Sequence, residues 1–256
     1  MSISLSLTNK VALISGGSRG IGAATVRMFV AAGAKVMFGF QKAQAPAQQL
    51  VEELGKANCA AFAADLSQPE NAAKLVAATI ETFGRLDILV ANHGIWESAD
   101  VPIDQMTDAQ WRRTMTINLD SVFGLVKHSV AQMKKQGKSG HIVLVSSTAG
   151  QRGEALHCDY AASKGALISM VKGLSTELAA DGIHVNCVAP GWVETDMSAG
   201  VLADSKTRAA IFATISLGRV AKPEEIAAPI LFLCTPQAGF ITGEIFNVNG
   251  GAVLVG

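Results

Sequence analysis

Three side chains near the middle of the chain have the chemistry and spacing of an acid–base site. Tyr160 and Lys164 lie four residues apart in a segment with a helical pattern, so both side chains are expected on one face. A free phenol titrates near pH ~10, and an ammonium one turn away is expected to lower that pKa. A hydroxyl from Ser147 would hold a carbonyl or alcohol oxygen beside the phenol. The alternative is a helix with a core tyrosine and an exposed lysine.

The element that must position Ser147 is an apolar run of strand length, Ile142–Val145. Its unbroken apolar and β-branched character predicts a strand that is buried on both faces of a parallel sheet. Ser147 follows closely on the end of that run. Open α/β sheets bind ligands at the carboxyl ends of their strands, so this serine is expected at a ligand site.

A second candidate site is the glycine-rich turn that follows the first predicted strand, Val11–Ile14. Gly16 permits a tight turn, Gly20 lets the backbone approach a pyrophosphate, and Gly22 allows the following helix to pack against the strand. The free N–H groups at the start of that helix favour an anion. Strand, turn and helix together predict a dinucleotide site, although a glycine pattern alone also occurs in ordinary turns.

The end of the second predicted strand bears on the choice of dinucleotide. NAD-binding members of such folds carry an acidic residue there that accepts the ribose hydroxyls. Here the segment reads Phe40-Gln41-Lys42 and contains no carboxylate. Arg19 in the glycine turn is free to face a 2′-phosphate, and Lys42 can assist. NADP(H) is therefore favoured over NAD(H), the alternative being that both cations are merely solvated.

Composition limits the class of protein. The 256 residues are 49% hydrophobic, and 21 Lys and Arg balance 21 Asp and Glu, so neither a nucleic acid nor an anionic membrane is an expected partner. The four cysteines form no Cys-x-x-Cys pair, no apolar run approaches the ~20 residues of a membrane span, and the first ten residues are too short and polar for a signal peptide. A cytoplasmic protein is expected.

The pattern along the chain alternates strand and helix. It predicts an α/β fold, a Rossmann-type doubly wound parallel sheet of about seven strands with helices on both faces, in a single domain over residues 1–256. Thr107 and Gln110 form a predicted capping box for a helix from Trp111 to about Gln136. The histidines show no ligand spacing, so no metal is assigned. His157 is expected to be structural or, alternatively, to face the substrate.

Seven motifs in chain order resemble those of the short-chain dehydrogenase/reductase family, from about Asn9 to Gly251. They are Ser15-Gly-Gly-Ser-Arg-Gly-Ile-Gly22, Asp65-Leu66, Asn92-His93-Gly94, Asn118, Ser146-Ser147, Tyr160-x-x-x-Lys164 and Pro190-Gly-Trp-Val-Glu-Thr195. Two departures are mild: Ser15 stands where Thr is commoner, and His93 stands where Ala or Asn usually follows the Asn.

The resemblance implies a role for each matched residue. Asn118, Ser147, Tyr160 and Lys164 would form the catalytic tetrad, with Asn118 holding a water that relays protons from Lys164. The cofactor would contact the glycine turn, the ends of the strands and the tetrad itself. Those cofactor-binding residues are Gly16, Ser18, Arg19, Gly20, Ile21, Gly22, Gln41, Asp65, Leu66, Asn92, Gly94, Tyr160, Lys164, Pro190, Gly191, Val193 and Thr195.

The resemblance also implies an activity and partners. The Gly218–Glu225 run and the Asn249-Gly-Gly251 ending are most similar to the 3-oxoacyl-[acyl-carrier-protein] reductases. This similarity implies hydride transfer from NADPH to a ketone, either a 3-oxoacyl thioester on acyl carrier protein or CoA or a small free ketone. Lys138 would contact the carrier, whereas Asp181 stands where an Arg is often found. A homotetramer and a lid over about 196–219 are implied as well.

Two other functions stay open on the sequence. One is an NAD(P)-dependent sugar or secondary-alcohol dehydrogenase that uses the same residues in the reverse direction. The other is a dinucleotide-sensing regulator without catalysis, a class that usually loses the Tyr or the Lys.

Overall fold

A computed structural model describes residues 5–137 and 139–254. Seven strands form one fully parallel sheet in the order β3-β2-β1-β4-β5-β6-β7, which confirms the predicted fold class. The strands are β1 (Val11–Ser15), β2 (Lys35–Phe40), β3 (Cys59–Ala63), β4 (Ile88–Ala91), β5 (Gly140–Val145), β6 (Ile183–Pro190) and β7 (Ile245–Val248).

The helices alternate with the strands. They are α1 (Gly20–Ala31), α2 (Gln44–Leu54), α3 (Pro69–Phe83), α4 (Asp108–Met115), α5 (Ser121–Lys135), α6 (Thr148–Arg152), α7 (Cys158–Leu178), α8 (Asp196–Ala203), α9 (Ser205–Ala213) and α10 (Pro223–Leu233). Helices α8 and α9 lie within the predicted lid segment 196–219.

Apolar side chains on the two faces of the sheet build two separate cores. Ile14 belongs to one core together with Phe29 and Ile230, which come from α1 and α10. Its neighbour Leu13 points the opposite way, into a core with Leu125 and Leu167 from α5 and α7. All five residues of β1 are buried because helices cover both faces, and this explains why its first four residues, Val11–Ile14, form a continuous apolar run.

The order of strands reverses between β1 and β4. Strand β1 pairs with β2 on one side and with β4 on the other, so the connections from these strands leave in opposite directions. A crevice forms at the carboxyl ends of strands at such a reversal, and open α/β sheets bind their ligands there. The glycine turn after β1 and the loop after β4 both lie at this crevice.

The helix predicted from Trp111 to Gln136 differs from the structure. Its regular turns are interrupted by a π-helical turn, Thr116–Asp120, in which the Ser121 N–H donates to the Thr116 carbonyl. The predicted capping box was half wrong. The Thr107 hydroxyl accepts from the Gln110 N–H at 3.1 Å, but the Gln110 side chain donates to Asp159 at 3.4 Å instead of returning to the cap.

Candidate active site

The turn between β1 and α1 adopts backbone conformations that favour glycine. Gly16 and Gly20 have φ values of +66° and +53°, in the left-handed region. A Cβ at Gly22 would overlap the Gly16 carbonyl oxygen, so only glycine allows the helix to approach the turn this closely. The first N–H groups of α1 follow directly. This turn fits the pyrophosphate of a dinucleotide.

The Asn92 side chain ties the loop after β4 to this turn. Its amide donates to the carbonyl oxygens of Ser15 and Gly16, both at 3.2 Å. The Ser15 hydroxyl accepts from the Asn92 N–H at 3.1 Å. The two loops are therefore held together on the sides of one crevice.

His93, which the sequence marked only as a mild departure, extends this connection to α5. Its Nδ1 lies 2.7 Å from the Ser15 hydroxyl and its Nε2 lies 2.5 Å from the Ser121 hydroxyl. Ser121 in turn donates to the Ile117 carbonyl at 2.6 Å, which leaves its oxygen to accept from His93. Burial lowers the pKa of His93 to about 4, and the charge of Lys164 adds to this effect. The imidazole is neutral near pH 7.

Ser147, Tyr160 and Lys164 meet at the carboxyl end of β5. Ser147 caps α6, where its hydroxyl accepts from the Ala149 N–H at 3.1 Å. A Cβ at Gly150 would lie 2.6 Å from the Lys164 carbonyl carbon, so α6 packs directly on α7. A hydrogen-bond contact between the Ser147 and Tyr160 side chains follows from this packing.

The ionisation of this group differs from the expectation. Burial raises the pKa of Tyr160 to about 12, and the hydrogen bond from Ser147 only partly offsets the increase. Burial lowers the pKa of Lys164 to about 8. The expected fall in the pKa of Tyr160 was wrong for this structure because burial of the phenol outweighs the groups that favour the phenolate. The Lys164 Nζ lies 5.9 Å from the Tyr160 ring centroid and donates to the Val145 carbonyl at 2.9 Å.

Asn118 is buried inside the π-helical turn and lies behind the catalytic group. Its Oδ1 accepts from the Ile95 N–H at 2.8 Å, and its Nδ2 donates to the Ile95 carbonyl at 2.9 Å and to the Ser163 hydroxyl at 3.1 Å. A Cβ at Gly94 would lie 3.2 Å from the Lys164 Nζ and 3.3 Å from the Asn118 Oδ1. The side chain thus fixes the loop after β4 against α7. The predicted water relay stays a prediction.

One cavity of about 1120 Å³ joins the glycine turn to the catalytic group. It is lined by all the predicted site residues except Gly22 and Asn118, which lie behind its wall. The lining includes Gly16, Ser18, Arg19, Gly20, Ile21, Gln41, Asp65, Leu66, Asn92, Gly94, Ser147, Tyr160, Lys164, Pro190, Gly191, Val193 and Thr195.

The charged groups at the far end of the cavity differ in one respect from the expectation. Arg19 is not free, because its guanidinium lies 3.2 Å from the Asp196 carboxylate at the start of α8, and both side chains are exposed. Asp65 accepts from the Ser67 hydroxyl at 2.7 Å, and this bond holds the pKa of its carboxyl below the usual value. Gln41 and Lys42 add to that lowering, so these three side chains lie together.

Sequence reasoning missed the other end of the cavity. Trp96, Trp192 and Glu154 line it, and the two indoles meet edge to face with ring centroids 5.9 Å apart. His157 is buried outside the lining, where it contacts Trp96 with ring centroids 5.1 Å apart and pairs with Asp100 at 3.3 Å. The structure thus favours the structural role of His157. The only available signal was the presence of tryptophans in two predicted strand-end loops.

Two further features bear on function. Within residues 5–137 and 139–254, no group of three or more His, Cys, Asp or Glu side chains is placed to hold a metal ion. None of the helices in these ranges combines the length and apolar character needed to cross a bilayer. Lys138, the predicted contact for a carrier protein, lies outside the described residues.

Comparison with known proteins agrees with this geometry. Residues 16–253 match a family model described as enoyl-(acyl carrier protein) reductase. The chain is 38% identical to the 3-oxoacyl-[acyl-carrier-protein] reductase FabG of Vibrio cholerae, over 98% of this chain and 100% of that protein.

Solved structures of similar proteins share the whole fold. A short-chain dehydrogenase/reductase from Brucella melitensis, described as a glucose/ribitol dehydrogenase, superposes with a TM-score of 0.91 at 36% identity, covering 99% of this chain and 100% of the other. A blue fluorescent protein from a metagenomic library, solved with NADPH, gives 0.90 at 35% identity and covers 97% and 99%. The chain belongs to the short-chain dehydrogenase/reductase family and is an oxidoreductase that acts on CH–OH and C=O groups.

Proposed function

We propose that this protein is an NADPH-dependent reductase of ketones, either 3-oxoacyl thioesters or small free ketones, with Tyr160 as the proton donor. The observation that carries the proposal is the single cavity that has the glycine turn at one end and the hydroxyls of Ser147 and Tyr160 at the other. A dinucleotide bound along this cavity supplies the hydride.

Each residue of the catalytic group has a role that follows from its position. Tyr160 stays protonated at neutral pH, since its pKa is raised to about 12, and it gives its proton to the carbonyl oxygen. Ser147 donates a hydrogen bond to that oxygen as negative charge develops. Lys164 places a positive charge behind the phenol and stabilises the phenolate that remains. Asn118 holds the loop after β4 and is proposed to order the water that returns protons.

The preference for NADP(H) over NAD(H) is supported by the charges at the adenosine end. Arg19 and Lys42 line the cavity there, and residues 40–42 contain no carboxylate. Arg19 can bind a 2′-phosphate bidentately after it leaves Asp196. The structural relative solved with NADPH supports the same choice.

The thioester substrate is supported by similarity to the FabG proteins, which are named for a 3-oxoacyl-[acyl-carrier-protein] substrate. Near Asp181 the charge of Lys134 is balanced, because its ammonium forms an ion pair with the Asp181 carboxylate at 2.6 Å. A free ketone or a CoA thioester therefore stays within the proposal. We also propose one domain, a lid over 196–219 that excludes water, and a homotetramer.

A second candidate is a sugar or secondary-alcohol dehydrogenase, favoured by the glucose/ribitol dehydrogenase from Brucella melitensis. The experiment that separates the candidates follows the absorbance of the reduced cofactor with NADPH and with NADH. Its reductive substrates are acetoacetyl-CoA, simple ketones and crotonyl-CoA. Ribitol, glucose and secondary alcohols are tested in the oxidative direction with NADP⁺ and NAD⁺ as hydride acceptors. Reduction of a ketone supports the proposal. Turnover of sugars alone, of crotonyl-CoA alone or of no substrate contradicts it.

A further inference from the structure

The end of the cavity beyond Tyr160 contains an acidic side chain that the proposed reaction does not use. Glu154 lies in the loop between α6 and α7, is half-buried, and lines the cavity. Among the described residues it has no ion-pair partner within 4.0 Å, and the nearby His157 pairs with Asp100. Burial raises the pKa of Glu154. His157, Arg152 and the Trp96 side chain only partly offset this rise, so a cationic ligand beside the carboxylate would stabilise it further.

The loop that carries Glu154 is held in a defined conformation. Gly153 has a φ of +79° and Leu156 a φ of +67°, the latter uncommon for a residue with a side chain. The Leu156 carbonyl accepts from the Val101 N–H at 3.1 Å, and the Glu154 carbonyl accepts from the His157 N–H at 3.3 Å. Backbone hydrogen bonds therefore hold the turn that carries the carboxylate, and Leu156 in this turn has a strained conformation. Such strained residues cluster at active sites and ligand sites.

Two indoles adjoin this carboxylate. Trp96 and Trp192 meet at an interplanar angle of 87°, so their rings form two walls of a corner, and the Trp96 side chain hydrogen-bonds to Glu154. His157 packs behind Trp96 and fixes its ring. A carboxylate beside aromatic walls is the chemistry that recognises an organic cation, because the rings and the carboxylate both attract positive charge.

The same corner lies close to the reacting hydroxyl. The charge of Glu154 raises the pKa of Tyr160, which places the two groups within electrostatic range. A ketone whose carbonyl meets Ser147 and Tyr160 would extend its remaining atoms toward this corner. From this juxtaposition of Glu154, Trp96 and Trp192 with Tyr160, we propose that the preferred substrates are small ketones that bear a protonated amine. This inference rests on the proposed function as a ketone reductase.

Positive side chains at the cavity mouth would favour the opposite kind of substrate, an anionic ketone. Arg112 and Arg152 are exposed and line the cavity, and they would favour a ketone that bears a carboxylate. Arg113 also lines it but is paired with Glu97. The two arginines lie in solvent, where a charge pair contributes little, whereas Glu154 is partly desolvated. The balance therefore favours the cation.

The test compares three ring ketones of similar size with saturating NADPH at pH 6.5. They are N-methyl-4-piperidone, which is cationic, 4-methylcyclohexanone, which is neutral, and 4-oxocyclohexanecarboxylate, which is anionic. We expect kcat/KM to be about tenfold higher for the cation than for the neutral ketone, and lowest for the anion. Equal values for the cation and the neutral ketone, or the highest value for the anion, would overturn the inference.

The variants locate the effect. Glu154→Gln should reduce the cation-to-neutral ratio of kcat/KM about tenfold. Glu177→Gln is the matched control and should keep the ratio, since Glu177 is exposed near the far end of α7 and lies outside the cavity lining. An unchanged ratio in Glu154→Gln contradicts the assignment.

A second measurement needs no variant. N,N-dimethylpiperidinium should inhibit reduction of 4-methylcyclohexanone competitively, at concentrations at which cyclohexanecarboxylate does not. The reverse order of inhibition contradicts the inference. Acetoacetyl-CoA, included in the same series, separates the two proposals. Its reduction without turnover of the piperidone overturns the amine inference alone, whereas failure of every ketone and thioester overturns the proposed function too.

Discussion

The Lys164 ammonium donates a hydrogen bond to the Val145 carbonyl oxygen, 2.9 Å away, at the last residue of β5. This bond fixes the lysine to the end of the same strand from which Ser147 follows. The adjacent Ser146 hydroxyl donates to the Lys164 carbonyl at 2.8 Å, so two bonds hold β5 to α7 at the catalytic group. The lysine is therefore oriented by the fold itself, and the reactivity of the site depends mainly on the ionisation of Tyr160 and Lys164.

Tyr160→Phe tests the proton donor. Removal of the hydroxyl should lower turnover about 10²-fold or more, the scale of general acid catalysis, while cofactor binding persists. Steady-state kinetics and a fluorescence titration with NADPH measure the two quantities on the same preparation. Turnover that survives the change would exclude Tyr160 as the donor.

The pH dependence of reduction should follow Lys164. Its pKa is lowered to about 8, so the ammonium loses its proton as the pH rises through that value, whereas Tyr160 stays protonated to about 12. We expect kcat/KM to be constant near pH 7 and to fall about tenfold per pH unit above 8. Lys164→Arg keeps the positive charge at high pH, so its remaining activity should lack this decline. The same decline in both proteins would point to another group.

Arg19→Ala tests the choice of cofactor. Loss of charge-assisted hydrogen bonds to a 2′-phosphate, which contribute about 1.5–3 kcal/mol, should lower kcat/KM with NADPH at least tenfold and leave NADH nearly unaffected. Asp196→Asn releases Arg19 from its exposed ion pair and should raise kcat/KM with NADPH by up to about fivefold. Equal losses with both cofactors in Arg19→Ala would argue against recognition of a 2′-phosphate.

Stability should decrease in acid because of buried histidines. The pKa values of His93 and His141 are both lowered from 6.5 to about 4, so between these values the unfolded chain binds more protons than the folded one. The contribution of these histidines to the free energy of unfolding should therefore be complete above pH 6.5. It should decrease as the pH drops toward 4, by up to about 3 kcal/mol for His93. Urea titrations at several pH values measure it. His93→Asn should show a smaller decrease, and slopes equal to those of the unchanged protein would refute the assignment.

We expect the proposed homotetramer to pack on α5, which carries an exposed apolar side chain. Phe123 on that helix is 56% exposed although it is apolar, as expected for a residue covered by another subunit. Phe123→Asp should shift the mass measured by light scattering from tetramer to smaller species. Leu217→Asp, at an exposed apolar residue of the 196–219 segment, is the control and should leave the mass unchanged. If the protein without substitutions is a monomer at micromolar concentration, the proposed homotetramer is wrong.

Much of the fold was predictable because a strand that is buried on both faces has a continuous apolar sequence. The predicted strands Val11–Ile14 and Ile142–Val145 fall within β1 (Val11–Ser15) and β5 (Gly140–Val145), and helix α3 begins at a proline, Pro69. Proline at the start of a helix and continuous apolar runs are local signals that need no tertiary information.

What could not be predicted depends on distant contacts. Arg19 and Asp196 are 177 residues apart, and neither local sequence predicts that their side chains form an ion pair. The Trp96–Trp192 corner and the raised pKa of Tyr160 arise only when α6, α7 and the strand-end loops pack together. The π-helical turn around Asn118 is also invisible in the apolar pattern, because one extra residue in a turn barely alters it.

That turn has a consequence for engineering the chain. Deleting one residue from Thr116–Asp120 would restore a regular α-helix with better hydrogen-bond geometry, but it would rotate everything on one side of the cut by roughly 100° relative to the other. Either the Asn118 side chain would then point away from Ile95, or the apolar face of α5 would no longer pack against the sheet. Shortening this stretch to gain local regularity would therefore dismantle either the pocket or the core, and neither half of the helix can be redesigned in isolation from the other.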